Sequence, residues 1–376
     1  MTGLGVYIHW PYCKRICPYC DFNVYKEKAI DVDAWQSAFE TELAYWADHL
    51  HARPVRSIYF GGGTPSLMPP SLIGHVLEVC HDLFGFEPNI EITLEANPSS
   101  VEAAKFGSFQ HAGINRLSLG VQSLDDDALA FLGRDHSAKE ARTALTAALA
   151  RFRKSSFDLI YARPDQSIDA WQKELADALA FDPKHLSLYQ LTIEPGTAFE
   201  KSVLRKDWTM PEDGLAADLF DLTQEMTAQA GLPAYEISNH AANGAKSKHN
   251  LLYWHQDDYL GIGPGAHGRV TLDGQRFATE TQLIPADYLS AVRQHHVGGT
   301  RSRLGGEEMI IEQLAMGLRL TDGCPLTANT KEWLAERTAI VNELAEEGFL
   351  VRSDNRLTAT KKGRRVLNSV LSLLLT

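Results

Sequence analysis

The segment Cys13-Lys14-Arg15-Ile16-Cys17-Pro18-Tyr19-Cys20 follows closely on a run of β-branched and aromatic residues, Val6-Tyr7-Ile8-His9-Trp10. The run predicts a strand, and the cysteines after it have the spacing CxxxCxxC. Three thiolates on one tight loop can hold three corners of a [4Fe–4S] cube and leave the fourth iron without a protein ligand. We therefore predict that Cys13, Cys17 and Cys20 bind an iron–sulfur cluster.

Zinc is an alternative for the same thiols. A structural zinc ion normally takes four ligands, and His9 on the preceding strand is the candidate for the fourth, although a histidine upstream of CxxxCxxC is not usual zinc spacing. A redox disulfide would leave one of the three thiols unexplained. Cys80 and Cys324 are isolated in the sequence, and we expect both to be buried thiols.

The composition is that of a globular protein: 44% of the 376 residues are hydrophobic and 22% are charged. The net charge of −12 disfavours a general role on nucleic acid or on an anionic membrane surface. No secretory signal is visible, and the apolar tail 366–375 falls short of the roughly 20 residues of a membrane span. We expect a docking helix there, no integral membrane segment, and a cytoplasmic protein.

Strand-like runs alternate with helical patterns through the first half of the chain, which predicts a parallel α/β sheet. Six such units are too few for an eight-stranded barrel, so we expect a partial (β/α)6 barrel or an open sheet. The acidic run 125–127 stands where a helix would begin and is predicted to complement its N-terminal dipole. The predicted strands are Gly5–Trp10, Val55–Phe60, Ile90–Ala96, Arg116–Val121, Phe157–Tyr161 and His185–Thr192.

The pattern divides the chain into three parts: a barrel over residues 1–195, a loop-rich extension over 196–300 that completes it, and a winged-helix-like unit over 301–376. In the last part we predict helices at Glu307–Leu318 and Lys331–Glu347, two strands around Asp354-Asn355 and a final helix. Lys361, Lys362, Arg364 and Arg365 form a basic patch there. A zinc-stabilised DNA-binding regulator is one hypothesis for such a unit. The acidic net charge favours a packing or docking module instead.

The cysteine triplet, Tyr7 six residues before it, and Gly61-Gly62-Gly63-Thr64-Pro65 after the second strand together resemble the radical S-adenosylmethionine (SAM) superfamily. The resemblance extends over nearly the whole chain and is greatest to oxygen-independent coproporphyrinogen III dehydrogenases and the related HemW haem chaperones. It implies that the open iron is chelated by the amine and carboxylate of SAM, which is then cleaved reductively to a 5′-deoxyadenosyl radical.

Polar residues at the ends of the predicted strands fit such a site, because the carboxyl ends of parallel strands converge. Glu95, Gln122 and Asp158 offer acceptors for an amine or for ribose hydroxyls, and Arg134 can bind a carboxylate in a bidentate manner. Glycines allow the backbone to approach a ligand closely. By the resemblance, Tyr7 and Tyr19 flank the cluster, and the residues assigned to SAM are Gly62, Gly63, Thr64, Glu95, Gln122, Arg134 and Asp158.

Two departures separate the sequence from the dehydrogenase branch. Phe22 stands where that branch has a fourth cysteine, and only about four residues precede the first strand. Both features resemble the haem-chaperone branch, as does His249-Asn250-Leu251-Leu252-Tyr253-Trp254, which fits its HNxxYW motif. In that motif the histidine is a proposed haem-iron ligand, and His240, His255 and His267 lie close enough in sequence to substitute or assist. Alternatively, His249 only fixes a loop.

The sequence reads Tyr161-Ala162-Arg163-Pro164-Asp165-Gln166 where the family usually has Tyr-Gly-Leu-Pro-x-Gln. Loss of that glycine is expected to alter the backbone beside the SAM site. The leading hypothesis is a radical-SAM haem chaperone that binds a [4Fe–4S] cluster, SAM and haem as cargo, and delivers haem to membrane or cytoplasmic haemoproteins. The alternative is an enzyme that oxidatively decarboxylates coproporphyrinogen III to protoporphyrinogen IX.

Overall fold

The computed structural model of the protein describes residues 3–26, 30–50 and 53–376. Within these residues the chain forms sixteen strands and sixteen α-helices. The strands are β1 (Leu4–Trp10), β2 (Tyr12–Cys13), β3 (Tyr25–Lys26), β4 (Val55–Gly62), β5 (Phe86–Ala96), β6 (Arg116–Gln122), β7 (Lys154–Tyr161), β8 (His185–Gln190), β9 (Asn239–Ala241), β10 (Tyr259–Ile262), β11 (His267–Leu272), β12 (Gln275–Thr281), β13 (Gly299–Arg303), β14 (Cys324–Pro325), β15 (Leu350–Arg352) and β16 (Arg356–Ala359). The helices are α1 (Val32–Leu50), α2 (Pro70–Phe84), α3 (Ser100–Ala103), α4 (Phe106–His111), α5 (Asp126–Phe131), α6 (Ala138–Arg151), α7 (Ile168–Leu179), α8 (Ala198–Leu204), α9 (Asp213–Gln229), α10 (Lys248–Trp254), α11 (Pro285–His295), α12 (Gly306–Gly317), α13 (Ala328–Glu336), α14 (Thr338–Glu346), α15 (Lys361–Arg365) and α16 (Leu367–Leu375).

One large sheet organises the first three hundred residues, with the strand order β13-β12-β11-β10-β1-β4-β5-β6-β7-β8-β9. The six predicted strands are confirmed as β1, β4, β5, β6, β7 and β8. They lie side by side, pair in parallel and are each followed by helix. They form the predicted partial (β/α)6 barrel. No pairing joins the edge strands β13 and β9 in the part of the chain described, so the sheet is open.

The central strands read as nearly continuous apolar runs because helices and loops cover both faces of a parallel sheet. Strand β1 is buried along almost its whole length. Helix α1 places its apolar stripe against this strand, and Trp35 lies between Trp10 and Phe39 with ring-centre distances of 5.2 and 5.4 Å. The stripe predicted from the spacing of Trp35, Phe39, Leu43 and Trp46 is therefore the buried face.

Helix starts follow the predicted local chemistry. Asp125 caps α5 by accepting a hydrogen bond from the backbone N–H of Ala128 at 2.9 Å, and Asp126 and Asp127 lie in the first turn. The acidic run is thus a helix N-terminus, where carboxylates stabilise the helix.

The extension adds strands to both edges of the barrel. β10 pairs in parallel with β1, while β11, β12 and β13 continue in antiparallel pairing beyond it. β9 pairs in antiparallel with β8 at the other edge. Strands from both sides of residue 195 belong to this one sheet, so strand pairing does not mark a boundary there. The division of the chain at residues 195 and 300 stays a prediction.

The last seventy residues form a second core under a three-stranded sheet of order β14-β16-β15. The predicted strands around Asp354-Asn355 are confirmed as β15 and β16. The predicted helix Lys331–Glu347 is interrupted at Arg337, and α13 and α14 on either side each bury apolar side chains in this core. The apolar tail forms α16, which buries Leu367, Val370, Leu371 and Leu374. This arrangement is winged-helix-like, as predicted.

Candidate functional site

A cavity of about 1030 Å³ opens at the carboxyl ends of the parallel strands. The cysteine loop after β1 forms one wall, strand ends form the floor, and helices α9, α15 and α16 contribute to the opposite side. All the predicted cluster and SAM residues except Tyr7 line this cavity: Cys13, Cys17, Tyr19, Cys20, Gly62, Gly63, Thr64, Glu95, Gln122, Arg134 and Asp158.

Hydrogen-bond donors face two of the three cysteine sulfurs. The Thr64 hydroxyl donates to Cys13 Sγ at 3.5 Å, and Arg134 Nη1 donates to Cys17 Sγ at 3.2 Å. Burial raises the pKa of Cys13 above its usual range and that of Cys20 to about 11. Both thiols therefore favour the protonated form until a metal displaces the proton. A short loop of three thiols, with donors aimed at sulfur, fits the corners of an iron–sulfur cube.

Asn97 connects these two donors and was not predicted as a site residue. Its Nδ2 donates to Thr64 Oγ1 at 3.3 Å, and its Oδ1 accepts from Arg134 Nη2. The same Arg134 nitrogen donates to the carbonyl of Gly120 at 2.9 Å. Asn97 stands immediately after β5 and before a proline, and this position is the sequence signal that could have identified it. The network holds both sulfur-facing donors in fixed orientations.

The glycine turn after β4 lies directly against the cysteine loop. Gly62 has φ +106°, and a Cβ there would lie 2.5 Å from the His9 ring. A Cβ on Gly63 would lie 2.7 Å from the carbonyl oxygen of Tyr12. Because no side chain fits at either position, the backbone N–H groups of Gly63 and Thr64 can donate to Trp10 O at 2.7 Å and Tyr12 O at 2.9 Å.

Two half-buried carboxyls, Glu95 and Asp158, lie on neighbouring parts of the cavity floor. Burial raises the pKa of Glu95 to about 7 and that of Asp158 to about 6. Glu95 accepts a hydrogen bond from the Tyr59 hydroxyl at 2.7 Å. In the described residues Asp158 Oδ1 and Arg134 Nε are buried without a hydrogen-bond partner. The cavity is thus lined by one residue with an unpaired acceptor and one with an unpaired donor. A ligand that carries both donors and acceptors suits such a lining.

Backbone irregularities shape the ends of β6 and β7. Gln122 has φ +68°, and the pairing register of these strands shifts between Leu119 and Gln122. Ala162 follows β7 with φ +55°, in the left-handed region where glycine is usual. The backbone thus adopts a glycine-like conformation although the glycine is absent.

Arg163 turns away from the cavity into the protein interior. Its Nη2 donates to Glu174 Oε2 at 2.6 Å, and its Nη1 donates to Ser123 Oγ at 3.1 Å. Both partners of the ion pair are buried. Arg163, which stands where the resemblance predicts a leucine, is therefore accommodated by a buried charge pair and not by the cavity.

Tyr7 and His249 lie outside this cavity. The Tyr7 hydroxyl is 3.0 Å from His9 Nδ1, and its ring stacks on Tyr59. His249 is buried, with Nδ1 at 2.9 Å from Ser57 Oγ and Nε2 at 2.6 Å from the Tyr253 hydroxyl. Burial lowers the pKa of His249 to about 3, so the ring is neutral. Ligation of iron by His249 would require one of these two hydrogen bonds to break.

The geometry around the cysteine loop does not favour a zinc site. Among the described residues no group of three His, Cys, Asp or Glu side chains converges on a single metal position. Corner thiolates of a cube bind separate irons and need no such convergence. Both His9 nitrogens are hydrogen-bonded, to Tyr7 and to the Asn23 carbonyl. His9 is therefore poorly arranged as a fourth zinc ligand.

The basic residues of α15 make intramolecular contacts. Lys362 donates to the Glu347 carbonyl at 2.7 Å, Arg364 to the Glu236 carbonyl at 2.7 Å, and Arg365 pairs with Asp221. These three basic residues also line the large cavity. A role in packing and in closing the cavity accounts for them. Within the described ranges, no helix has both the length and the hydropathy needed to cross a bilayer.

A CxxxCxxC loop at the strand ends of a six-stranded parallel partial barrel defines a protein of the radical-SAM class. The family description "Radical SAM superfamily" matches residues 7–178, and "HemN C-terminal domain" matches residues 304–366. Coproporphyrinogen III oxidase (HemN) from Escherichia coli, a solved structure, has the same fold, with a TM-score of 0.82 over 100% of this chain and 90% of that one at 21% identity.

Proteins of similar sequence indicate which family within the superfamily the chain belongs to. The chain is 38% identical over 388 residues to mouse "Radical S-adenosyl methionine domain-containing protein 1, mitochondrial", covering 100% of this chain and 88% of that protein. It is 34% identical over 384 residues to the protein named "Heme chaperone HemW" of Escherichia coli (strain K12), covering 100% and 99%. The chain belongs to the radical SAM superfamily and, within it, to the family of these HemW proteins. Membership implies a [4Fe–4S] cluster and SAM as cofactors.

Proposed function

We propose that the protein is a radical-SAM haem chaperone, which binds haem and delivers it to haem-accepting proteins. The observation that carries this proposal is the full-length similarity to proteins named heme chaperone HemW, at 34% identity over 99% of the Escherichia coli protein. The recipients proposed here are haemoproteins in the cytoplasm or, through transient contact, in the membrane. We retain the cytoplasmic location as a prediction.

Cys13, Cys17 and Cys20 would hold three irons of the cluster, and the fourth would be open to SAM. The donors on Cys13 and Cys17 sulfur support this assignment. When bound, the cluster and SAM supply one-electron chemistry that forms an adenosyl radical. Tyr19 packs beside Phe199 and closes the cavity next to the loop.

The remaining assignments at the cavity concern SAM itself. The Gly62-Gly63-Thr64 backbone would receive the methionyl end. Arg134 would bind its carboxylate only after giving up a present contact, because Nη1 donates to Cys17 and Nη2 to Asn97 and Gly120, which removes the bidentate arrangement expected from the sequence. Gln122 and Asp158 would accept hydrogen bonds from the ribose hydroxyls. The unpaired Asp158 oxygen supports the last assignment, because a buried acceptor without a donor is destabilising until a ligand supplies one.

A haem-transfer assay tests the proposal. Reconstituted protein is titrated with ferric haem, the Soret band is followed, and the loaded protein is mixed with apomyoglobin as a spectroscopically distinct acceptor. We expect saturable binding near one haem per chain, and transfer faster than from haem-loaded serum albumin as a control. Absence of stoichiometric binding, or transfer no faster than from albumin, would contradict a chaperone function.

The second candidate function is oxidative decarboxylation of coproporphyrinogen III. Lys362, Arg364 and Arg365 line the cavity in addition to making their packing contacts, and their positive charge favours a polycarboxylate substrate. Phe22, in place of a fourth cysteine, counts against it. An anaerobic assay with SAM, a reductant and coproporphyrinogen III distinguishes the two, because decarboxylation lowers the mass of the porphyrin product. We expect no mass loss from protein that still binds haem.

A further inference from the structure

A second cavity, of about 420 Å³, lies between the sheet extension and the C-terminal unit. Aromatic rings form much of its wall, and Tyr253 and Tyr259 meet edge to face at 4.6 Å. Phe22, which is 60% exposed, lines both this cavity and the one at the cysteine loop. The aromatic residues of this second cavity, named here the aromatic cavity, are Tyr7, Phe22, Tyr253, Trp254 and Tyr259.

Flat apolar rings lining a cavity suit a flat apolar ligand, because stacking on aromatic side chains adds to the free energy gained by burying surface. Two of these rings, Tyr253 and Trp254, come from the HNxxYW segment in α10. The histidine of that segment does not reach the cavity, since it is buried behind Tyr253 and bonded to its hydroxyl.

Of the two imidazoles that line the aromatic cavity, only one is available to a metal. His9 is buried, and both its nitrogens are hydrogen-bonded. His267, at the start of β11, is exposed and makes no side-chain hydrogen bond with any described residue. The other candidates for a ligand are less suitable: His240 is buried against Thr227, and His255 does not line the cavity.

Two residues that line the same cavity carry buried donors without an acceptor. Among the described residues, Trp254 Nε1 and Arg276 Nε are buried and have no hydrogen-bond acceptor. Arg276 also pairs with Asp258 at 3.0 Å, which fixes its side chain at the cavity wall. Arg276 shares the single carboxylate of Asp258 with Arg53, so this wall keeps a positive charge that suits a ligand with acidic groups at its edge.

We infer that the aromatic cavity binds haem and that His267, rather than His249, is the axial ligand to the iron. This inference rests on the proposed haem-chaperone function and specifies its binding site. His249 is then a positioning residue: it holds the Tyr253 ring, which forms part of the cavity wall. Neutral imidazole is a common protein ligand of haem iron, and an exposed ring at a cavity edge needs no rearrangement to bind it.

Haem titrations of four proteins test the inference: the wild type, His267→Ala, His249→Ala and, as the control, His295→Ala, which changes an exposed histidine on α11. Absorption and electron paramagnetic resonance spectra report imidazole ligation. We expect His267→Ala to lose the imidazole signature and to bind haem at least about tenfold more weakly. Added imidazole should restore the signature to His267→Gly, and metal-free protoporphyrin IX, which has no iron to ligate, should bind His267→Ala as it binds the wild type.

Each outcome has a separate meaning. If the wild type does not bind haem, the proposed function fails and this inference fails with it. If the wild type binds haem but His267→Ala keeps the imidazole signature and affinity, only this inference is overturned. Loss of the signature from His249→Ala, with an unchanged circular dichroism spectrum, would also overturn it and assign the iron to His249. The milder variant Tyr253→Phe, which removes only a hydroxyl, should keep the signature.

Discussion

The two cavities of this protein share Phe22 but differ in the side chains that dominate their walls. The cavity at the cysteine loop is lined by thiols, carboxyls and the half-buried Arg134 guanidinium, which strand ends and the loops near them bring together. The aromatic cavity is lined mainly by rings and lies where the antiparallel extension meets α12. The difference indicates two ligands: one that needs directed polar contacts, and one that needs a flat apolar wall.

The largest expected effect separates the two cavities. Replacing Cys17 by alanine removes one corner ligand, so the cluster and its brown chromophore should be lost while haem binding persists. Iron and sulfide analysis of reconstituted protein measures the first, and a haem titration measures the second. Cys80→Ala, which removes a buried isolated thiol, serves as the control and should retain the cluster. Unchanged iron content in Cys17→Ala would disprove the cluster assignment.

The next largest effect is on stability, and it concerns the buried ion pair of Arg163 and Glu174 near the cavity at the cysteine loop. Glu174→Ala leaves the Arg163 guanidinium buried without its carboxylate, and breaking such a pair costs about 3–5 kcal/mol in free energy of unfolding. Chemical denaturation measures the loss. Asp177→Ala, which breaks the exposed pair with Arg142, is the matched control and should cost about 0–1 kcal/mol. Equal losses in the two variants would show that burial of the first pair has no energetic consequence.

Glu95, in the cavity at the cysteine loop, and the buried His249 should give the stability opposite dependences on pH, because burial raises the pKa of the first and lowers that of the second. Burial raises the pKa of Glu95 from 4.5 to about 7, so the folded state binds a proton more tightly than the unfolded state. The Glu95 contribution to the free energy of unfolding should therefore fall by about 1–3 kcal/mol as the pH rises from about 4.5 to about 7. Thermal denaturation of the apoprotein across this range measures the slope.

Glu95→Gln removes the titrating group, so the free energy of unfolding of the wild type relative to that of this variant should fall across this pH range. Glu78→Gln, on an exposed position of α2, should leave the slope unchanged. A difference in stability between the wild type and Glu95→Gln that rises with pH would mean that Glu95 is ionised more readily in the folded state than burial implies.

The smallest expected effect comes from the strained turn after β7, beside the cavity at the cysteine loop. Ala162 has φ +55°, a conformation that costs an alanine about 1–2 kcal/mol and costs a glycine little. Glycine also loses more conformational entropy on folding, so Ala162→Gly should stabilise the protein by about 0.5–1 kcal/mol. Ala147→Gly, on an exposed position within α6, should instead destabilise it by about 1 kcal/mol. A destabilised Ala162→Gly variant would show that the turn carries no strain.

Local patterns in the sequence predicted most of the barrel. The six parallel strands were recognisable because each is a short apolar run bounded by turn residues, and the amphipathic spacing of Trp35, Phe39 and Leu43 predicted the buried face of α1. The break at Arg337 was not predicted, because the residue is neither proline nor glycine. Both short helices there are held by the core of the C-terminal unit rather than by local propensity.

The part of the cysteine-loop site that lies in one short segment was predictable from the sequence. The three cysteines lie within eight residues, and the strand-end carboxyls follow from the rule that parallel strands converge. Asn97 was missed because its importance comes from its contacts with Thr64 and Arg134, which lie more than thirty residues away in either direction. Tyr7 was expected beside the cluster but lines the aromatic cavity, since its ring turns toward Tyr59 and His9.

The sequence by itself determined the parallel barrel, the cysteine loop and the family, because spacing and periodicity act over short stretches of chain. Only the tertiary structure decided which histidine reaches a cavity. His249 and His267 are eighteen residues apart, yet one is buried against Ser57 and Tyr253 while the other is exposed beside aromatic rings. The cause is the packing of β4 against α10, two segments separated by nearly two hundred residues, which no local pattern encodes.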